Sequence, residues 1–581
     1  MKSFTKLFLS FTLIVLCFLG LTSSNSNTTF IDYEQDTKTV FSKETDGPLR
    51  ISIYTHQDLE TPSKTNKIYK WIKDTFGVTF KWDILGEKNE PQMLAQYMAN
   101  NNFPDILHCK STKILKDTNC LKDLKPLLEK HCPNLMKHYA SVWNQMLFAD
   151  SELATMTTIK KEHIYTLPTF GVMDGPDGGT YYNQSAFWIQ KAVLKEFNYP
   201  KITTIDEYFE LLGKYYKKHP NINGKATIPF SILCYDWESF NLWNPGYFLT
   251  GSPNDGSAKV IYKNNKYIAE SIYTNDDFKK WLKTLNKYNK QGLVSPEIFT
   301  DTRDDFFKKM NQGILLGMFY QGWEFFFDME NFKDKGMYER TYCPLPLVFD
   351  KSIKPAYRDS FIPFPSEEGI SISKNCSDEK AIKILKFLDE MIKEENQKIL
   401  YWGFEGEDYK LDSKKNPYRT QDQINKQKDP LWKNENQATL WINMAPQLDG
   451  KRKSGYLQRI DDFPSVYRKT VEKIDNQLFD AYKVDSYAEM MDKNPPQNPF
   501  WYPLWRYNPN PDTDEGYELI QSRFAVEDYA VQNIPSLVTC KTSEFESKWE
   551  SYSTEQKKLE KDFYVYMQKQ LDILVKRYGN K

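Results

Sequence analysis

Apolar and polar side chains alternate along Leu49-Arg50-Ile51-Ser52-Ile53-Tyr54, the period-two pattern of a half-buried strand. A polar loop from His56 to Thr65 follows. Ile68, Trp71, Ile72 and Phe76 then recur at helical spacing, and Gly77 stands where a helix stops. Val78 to Leu85 predicts a second strand, Pro91 to Asn100 a second helix, and Phe103-Pro104-Asp105-Ile106-Leu107 a third strand. Strand and helix alternating with short connections predict an α/β lobe with a mainly parallel sheet. Ligands of such sheets sit beyond the carboxyl ends of the strands, so the loop at His56 is a candidate binding edge.

Further along, Ser377 is a natural N-cap, with Asp378 and Glu379 in the first turn. Ala381, Ile384, Leu385, Leu388, Met391 and Ile392 then form one apolar stripe. Phe563, Met567, Leu571, Leu574 and Tyr578 predict a closing helix that docks. Between about 415 and 520 the chain is rich in Asn, Gln, Pro, Lys and aromatics, which predicts short helices and long loops. No solenoid-type repeat is visible.

The amino terminus reads as an export signal over residues 1–26, with Lys2 and Lys6 ahead of the apolar run Leu7–Leu21. That run is shorter than the roughly 20 residues a spanning helix needs. Cys17 leaves lipid attachment open as an alternative, although Leu16 stands where a lipobox has a small residue. Residues 27–49 read as a flexible stalk.

The seven remaining cysteines are widely spaced and form no CxxC pair, which excludes a zinc ribbon. They read as buried free thiols, with a bridge among Cys109, Cys120 and Cys132 as the alternative.

Composition narrows the function classes. The chain has 581 residues, with 77 Lys+Arg against 78 Asp+Glu, a balance that argues against nucleic acid as the partner. Aromatics reach 15%, more than a core alone asks for, which points to rings placed for stacking. There is no GxSxG, Walker loop, HExxH or dinucleotide fingerprint, and the six histidines show no metal-ligand spacing. Asp174-Gly175-Pro176-Asp177-Gly178-Gly179 reads as a turn, with a cleft rim as the alternative. Glu405 and Glu407 sit among aromatics in Trp402-Gly403-Phe404-Glu405-Gly406-Glu407-Asp408-Tyr409, a mixture suited to sugars. A glycoside hydrolase would need two carboxylates at a fixed separation, so an enzyme stays an option here.

Several segments together resemble a known family, the extracellular solute-binding proteins of ABC importers (family 1), specifically the LipO-like carbohydrate-binding group. They are Thr75-Phe76-Gly77-Val78 with Phe103-Pro104-Asp105-Ile106, Phe187-Trp188-Ile189-Gln190-Lys191-Ala192-Val193-Leu194, and Gly313-Ile314-Leu315-Leu316-Gly317-Met318 with Gly322-Trp323. Glu368-Gly369-Ile370-Ser371-Ile372-Ser373 and the Trp402–Tyr409 segment complete the set. The resemblance runs from about residue 50 to the carboxyl terminus and is weakest between 415 and 520. One departure concerns a calcium loop that relatives often carry. Here His219 and Ala226-Thr227 replace its carboxylates, which predicts no metal, since hard cations want anionic oxygens.

The resemblance implies a periplasmic-binding-protein-like α/β fold, two lobes joined by a hinge around a central ligand cleft. It places the first lobe at 50–166 plus about 366–400 and the second at 171–345 plus about 401–581. The crossings fall at about 167–170 and 345–365. Ligand-facing candidates are His56, Trp188, Gln190, Trp237, Trp243, Tyr320, Trp323, Trp402 and Glu405. The implied function is non-enzymatic capture of an oligosaccharide by a secreted or surface-anchored monomer, without cofactor, that delivers it to a membrane permease. The alternatives are a secreted carbohydrate-active enzyme and a binder of peptides or another non-sugar solute.

Overall fold

The computed structural model describes residues 48–57, 59–84, 90–110, 112–155, 158–169, 172, 185–252, 258–357, 369–448, 450–452, 454–455, 457–491, 500–501, 504, 509 and 513–579. The signal, residues 27–47 of the expected stalk, Cys17 and the Asp174–Gly179 stretch lie outside them, while Leu49, assigned to the stalk, opens the first strand.

The predicted opening elements form where their patterns place them. Strand β1 (Leu49–Thr55) is followed by the helix Lys67–Phe76, capped by the Asn66 side chain and ended by Gly77 at φ 66°. Next come β2 (Val78–Ile84), the helix Glu90–Asn100 and β3 (Ile106–Cys109). The third strand starts three residues later than its pattern suggests. Asp105, at the expected centre, instead turns its carboxylate to the Ser52 amide at 2.8 Å, tying β3 to β1.

Two strands from far along the chain complete this first sheet: β4 (Leu167–Pro168) and β9 (Gly369–Ile372). The order is β2-β1-β3-β9-β4. β1 runs parallel to β2 and β3, and β9 runs antiparallel to β3 and β4. The second sheet holds β5 (Ser185–Gln190), β6 (Ile228–Ser231), β7 (Leu315–Gln321) and β8 (Tyr342–Leu345), in the order β6-β7-β5-β8.

Register fixes where the sheets are joined. Pro168, the end of β4, pairs with Gly369, the start of β9, and Gly369 pairs with Cys109, the end of β3. In the second sheet Ser185, the start of β5, pairs with Gln321, the end of β7, and Leu345, the end of β8, pairs with Phe187. Both crossings therefore run from the carboxyl edge of one sheet to the carboxyl edge of the other.

Each sheet carries its own core. The helix Asp378–Met391, capped by Ser377 as expected, packs Ala381, Ile384, Leu385 and Leu388 into the first. Phe187, Trp281, Phe319 and Phe230 centre the second, with ring centroids 5.0–6.5 Å apart. One boundary differs from expectation. Trp402, Trp441, Ile460 and Val466 belong to the first core, and Trp441 sits 5.1 Å from Phe80 and 5.3 Å from Phe387. The chain joins the second core at Leu478 and Phe479, so it passes between the cores a third time after Val466. Low periodicity over 415–520 concealed that Trp441 buries against a distant sheet.

The closing helix, Lys561–Tyr578, docks on the hairpin Lys259–Lys263/Lys266–Glu270, where Gln568 bonds the backbone of Tyr267 and Ala269 at 3.1 and 2.8 Å. Glu560 at its start is buried and accepts from Ser271 and Thr274 at 2.7 and 2.8 Å. Burial pushes this carboxyl up to about 6. Its folded value lies above the unfolded one, so the native state binds more protons between about pH 4.5 and 6, and stability falls as pH rises through that window. Glu560→Gln should flatten this slope, a difference of about 2 kcal/mol at neutral pH, read from urea melts at pH 4.5 and 7.5.

Candidate functional site

At the carboxyl edge of the first sheet, His56 and His108 face each other with ring centroids 4.7 Å apart. The Thr55 hydroxyl lies 2.9 Å from His108 Nδ1, and the His56 amide donates to the His108 carbonyl at 3.0 Å. His108 is fully buried, whereas His56 is half-buried and stands in the loop that leaves β1.

The carboxyl edge of the second sheet holds a charged cluster. Glu238 comes from the turn Asp236–Ser239 after β6, Tyr320 from β7, Glu324 from the first turn of the helix Gly322–Asp334, and Arg303 from the start of the helix Arg303–Asn311. The Arg303 guanidinium bridges the two carboxylates, meeting Glu324 at 2.7 Å and Glu238 through its other terminal nitrogen. It also lies 4.8 Å over the Phe307 ring. The Tyr320 hydroxyl donates to Glu238. Glu238 is 1% exposed, and burial raises its carboxyl above the usual range while Tyr320 and Arg303 pull the other way. The side chain of Arg303 is 40% exposed, so this is the member a solute can reach. Beside it, Ser185 Oγ donates to Gln321 across the β5–β7 pair.

Of the expected ligand-facing residues, His56 stands at the carboxyl edge of the first sheet. Tyr320 is at that of the second, but its ring is fully buried and it acts through its hydroxyl on Glu238. The backbones of Trp237 and Trp323 adjoin Glu238 and Glu324, while their side chains lie outside the described residues.

The others are placed elsewhere. Trp188 is 1% exposed, its indole donating to the Tyr320 carbonyl at 2.9 Å against the Phe325 ring. Gln190 ends β5 at the opposite edge, donating to Gly313 O and accepting from Arg340, each at 3.0 Å. Trp243 is core, 5.1 Å from Tyr273.

Trp402 and Glu405 belong to a corner of the first lobe. Gly403 takes φ 85°, and a Cβ there would lie 2.3 Å from the Asp408 carboxylate. That carboxylate accepts from the Phe404 amide at 2.8 Å and holds Lys67 at 2.7 Å. Trp402 is 6% exposed, its indole donating to Leu457 O at 3.1 Å with Tyr409 and Phe463 edge-on, and Glu405 is exposed. The glycine-rich motif thus builds a turn, and its carboxylate serves the fold.

Sequence reading missed Glu238, Arg303 and Glu324. Adjacency offered a weak signal, since Glu238 and Glu324 each directly follow a tryptophan.

The segment that replaces the calcium loop forms a short hairpin, Asn221–Ile222 with Lys225–Ala226, and His219 pairs with Glu196 at 2.6 Å. Among the described residues no group of three His, Cys, Asp or Glu could hold a metal ion, all seven cysteines are free, and no helix is long and apolar enough to cross a membrane.

No family model and no curated protein matches the chain. Solved structures do. A human-milk-oligosaccharide (HMO) binding, ABC-transporter-associated solute-binding protein of Bifidobacterium longum infantis superposes with a TM-score of 0.57 at 18% identity, over 91% of this chain and 99% of that one. The S. pneumoniae ABC-transporter substrate-binding protein FusA, in complex with kestose, gives 0.55 at 16% identity, over 92% and 100%. The alginate-binding protein AlgQ2 gives 0.52 at 17%, over 92% and 100%. At such identities the likeness establishes the fold: an α/β, periplasmic-binding-protein-like chain, similar to these proteins along nearly its whole described length.

Proposed function

We propose that the protein is the extracellular substrate-binding component of an ABC importer, capturing an oligosaccharide between its lobes and passing it to a membrane permease without chemical change. The observation that carries this is the position of the Glu238–Arg303–Tyr320–Glu324 cluster, at the carboxyl edge where one crossing arrives and the other leaves. Joined carboxyl edges are where open α/β sheets take ligands, and crossings at those edges let one lobe close on the other.

A sugar needs donors and acceptors fixed in place together with apolar faces. Arg303 and His56 supply the first, and we assign the second to Trp237 and Trp323, which adjoin the cluster in sequence. The solved structures supporting the reading include proteins described as binding milk oligosaccharides, kestose and alginate. Lipid attachment at Cys17, secretion behind a cleaved signal, a monomeric state and membership of the LipO-like group belong to the same proposal.

Glu238, with its raised carboxyl, is engaged by Tyr320 and Arg303, which suits a fixed support better than a proton shuttle. Titration with a panel of neutral and acidic oligosaccharides and short peptides, followed by tryptophan fluorescence, should give saturable binding to at least one saccharide and no change in its chain length. Saturation by peptides alone, or saccharide cleavage lost in Glu238→Gln, would overturn the reading.

A further inference from the structure

A polar cavity, of about 210 Å³, opens in the first lobe, away from the charged cluster of the second. It lies between the end of the helix Glu394–Trp402 and the short helices Pro430–Asn436 and Thr439–Met444. Its volume equals roughly seven waters at liquid density, room for one sugar ring rather than a chain.

Three features of its wall bear on what it holds. Arg419 lines it at 4% exposure, with Nη1 on Asp461 at 2.6 Å, and its buried Nε has no hydrogen-bond partner. A guanidinium so enclosed is costly to leave short of acceptors, and burial already lowers its pKa. Amide side chains, among them Asn443 and Gln447, line the same cavity, and Trp432 contributes a half-buried ring. Two of the wall's carboxylates are matched in place, Asp461 by Arg419 and Asp408 by Lys67 at 2.7 Å, and Arg459, which is exposed, lines the cavity as well. Hydroxyls can accept from Arg419 and exchange hydrogen bonds with the amides.

The cavity also adjoins the loop leaving β1. Gln57, next to His56, donates to the carbonyl of Asn443 at 3.4 Å, and the Ser63 amide donates to Asn434 at 2.7 Å. The carboxyl edge of the first sheet and the cavity thus share a wall.

The geometry points to this cavity as an accessory subsite that takes one hydroxyl-rich ring at the end of a saccharide whose remainder lies between the lobes. The inference rests on the saccharide-capture reading and extends it. It makes affinity depend on chain length, because only a ligand long enough to pass the His56–Gln57 loop reaches Arg419.

The test uses Trp432→Ala and Asn443→Leu, at a half-buried and an exposed position, each checked by thermal melting. Wild type and variants are titrated calorimetrically with malto-, cello- and fructo-oligosaccharides of two to eight units. The expected result is a loss of about tenfold or more in affinity for the longest members of the bound series, with the shortest unchanged. Equal losses at every length, or no loss at any, in variants that melt like the wild type would overturn the subsite and leave saccharide capture standing. Absence of binding by the wild type to every series would overturn both.

Discussion

Gly317→Val is expected to unfold the second lobe at moderate denaturant, with a loss of about 3–5 kcal/mol. Gly317 sits in β7, in the middle of the second sheet, and a Cβ there would lie 2.1 Å from the hydroxyl oxygen of Tyr208 and 3.1 Å from Leu212. Tyr208 has nowhere to retreat. It is fully buried, and its hydroxyl donates to the Trp188 carbonyl at 2.8 Å. The substitution forces either strain in the sheet or the loss of a buried hydrogen bond. Gly317→Ala should cost less, on the order of 2 kcal/mol, and adding Tyr208→Phe should return part of it, because the nearest remaining ring atom, Cζ, is 2.9 Å away. Urea melts of the two single variants and the pair measure this. An alanine variant as stable as the wild type would contradict the packing described.

Arg303→Ala should be the most damaging change at the proposed ligand edge. It leaves Glu238, 1% exposed, and Glu324 facing each other without their shared cation. Breaking a fully buried pair costs roughly 3–5 kcal/mol, but the arginine is 40% exposed, so screening brings the expected loss to about 2 kcal/mol. Saccharide affinity should fall at least about tenfold, since the reachable donor is gone.

The pH dependence has a definite sign. Glu238 already titrates above its ordinary value, chiefly through burial, and losing Arg303 raises it further. A carboxyl whose folded pKa exceeds its unfolded one takes up protons on folding, so stability declines as pH rises from its unfolded value through its folded one. The variant should therefore be nearest to wild-type stability in mild acid and furthest at neutral pH. Adding Glu238→Gln should restore neutral-pH stability without restoring saccharide affinity. If the double variant binds as the wild type does, Arg303 contacts no ligand.

Much of the fold was legible because it is local. The alternation at Leu49–Tyr54, the Ser377 cap and the stop at Gly77 each depend on a few neighbouring residues. The lobe boundary near residue 400 was not, because the segment from Trp402 to Val466 joins the first core, with Trp441 against Phe80 and Phe387, contacts that no periodicity records.

The site shows the same limit. The resemblance marked Trp188, Trp243, Tyr320 and Trp402 as ligand-facing, yet all four are at most 6% exposed. A large two-core protein absorbs rings that composition alone suggests are spare. The members that meet at the edge, Glu238, Arg303 and Glu324, come from three elements, and charged residues in loops and helix starts look alike until the sheet brings them together.

Capture between the two carboxyl edges is tested most directly by hydrogen exchange with and without a saturating saccharide from the bound series. The account predicts slowed exchange on both sides at once: around His56 and His108 in the first lobe, and at Glu238, Arg303 and Tyr320–Glu324 in the second. Slowed exchange confined to one lobe, or protection only at surfaces distant from these edges, would contradict it.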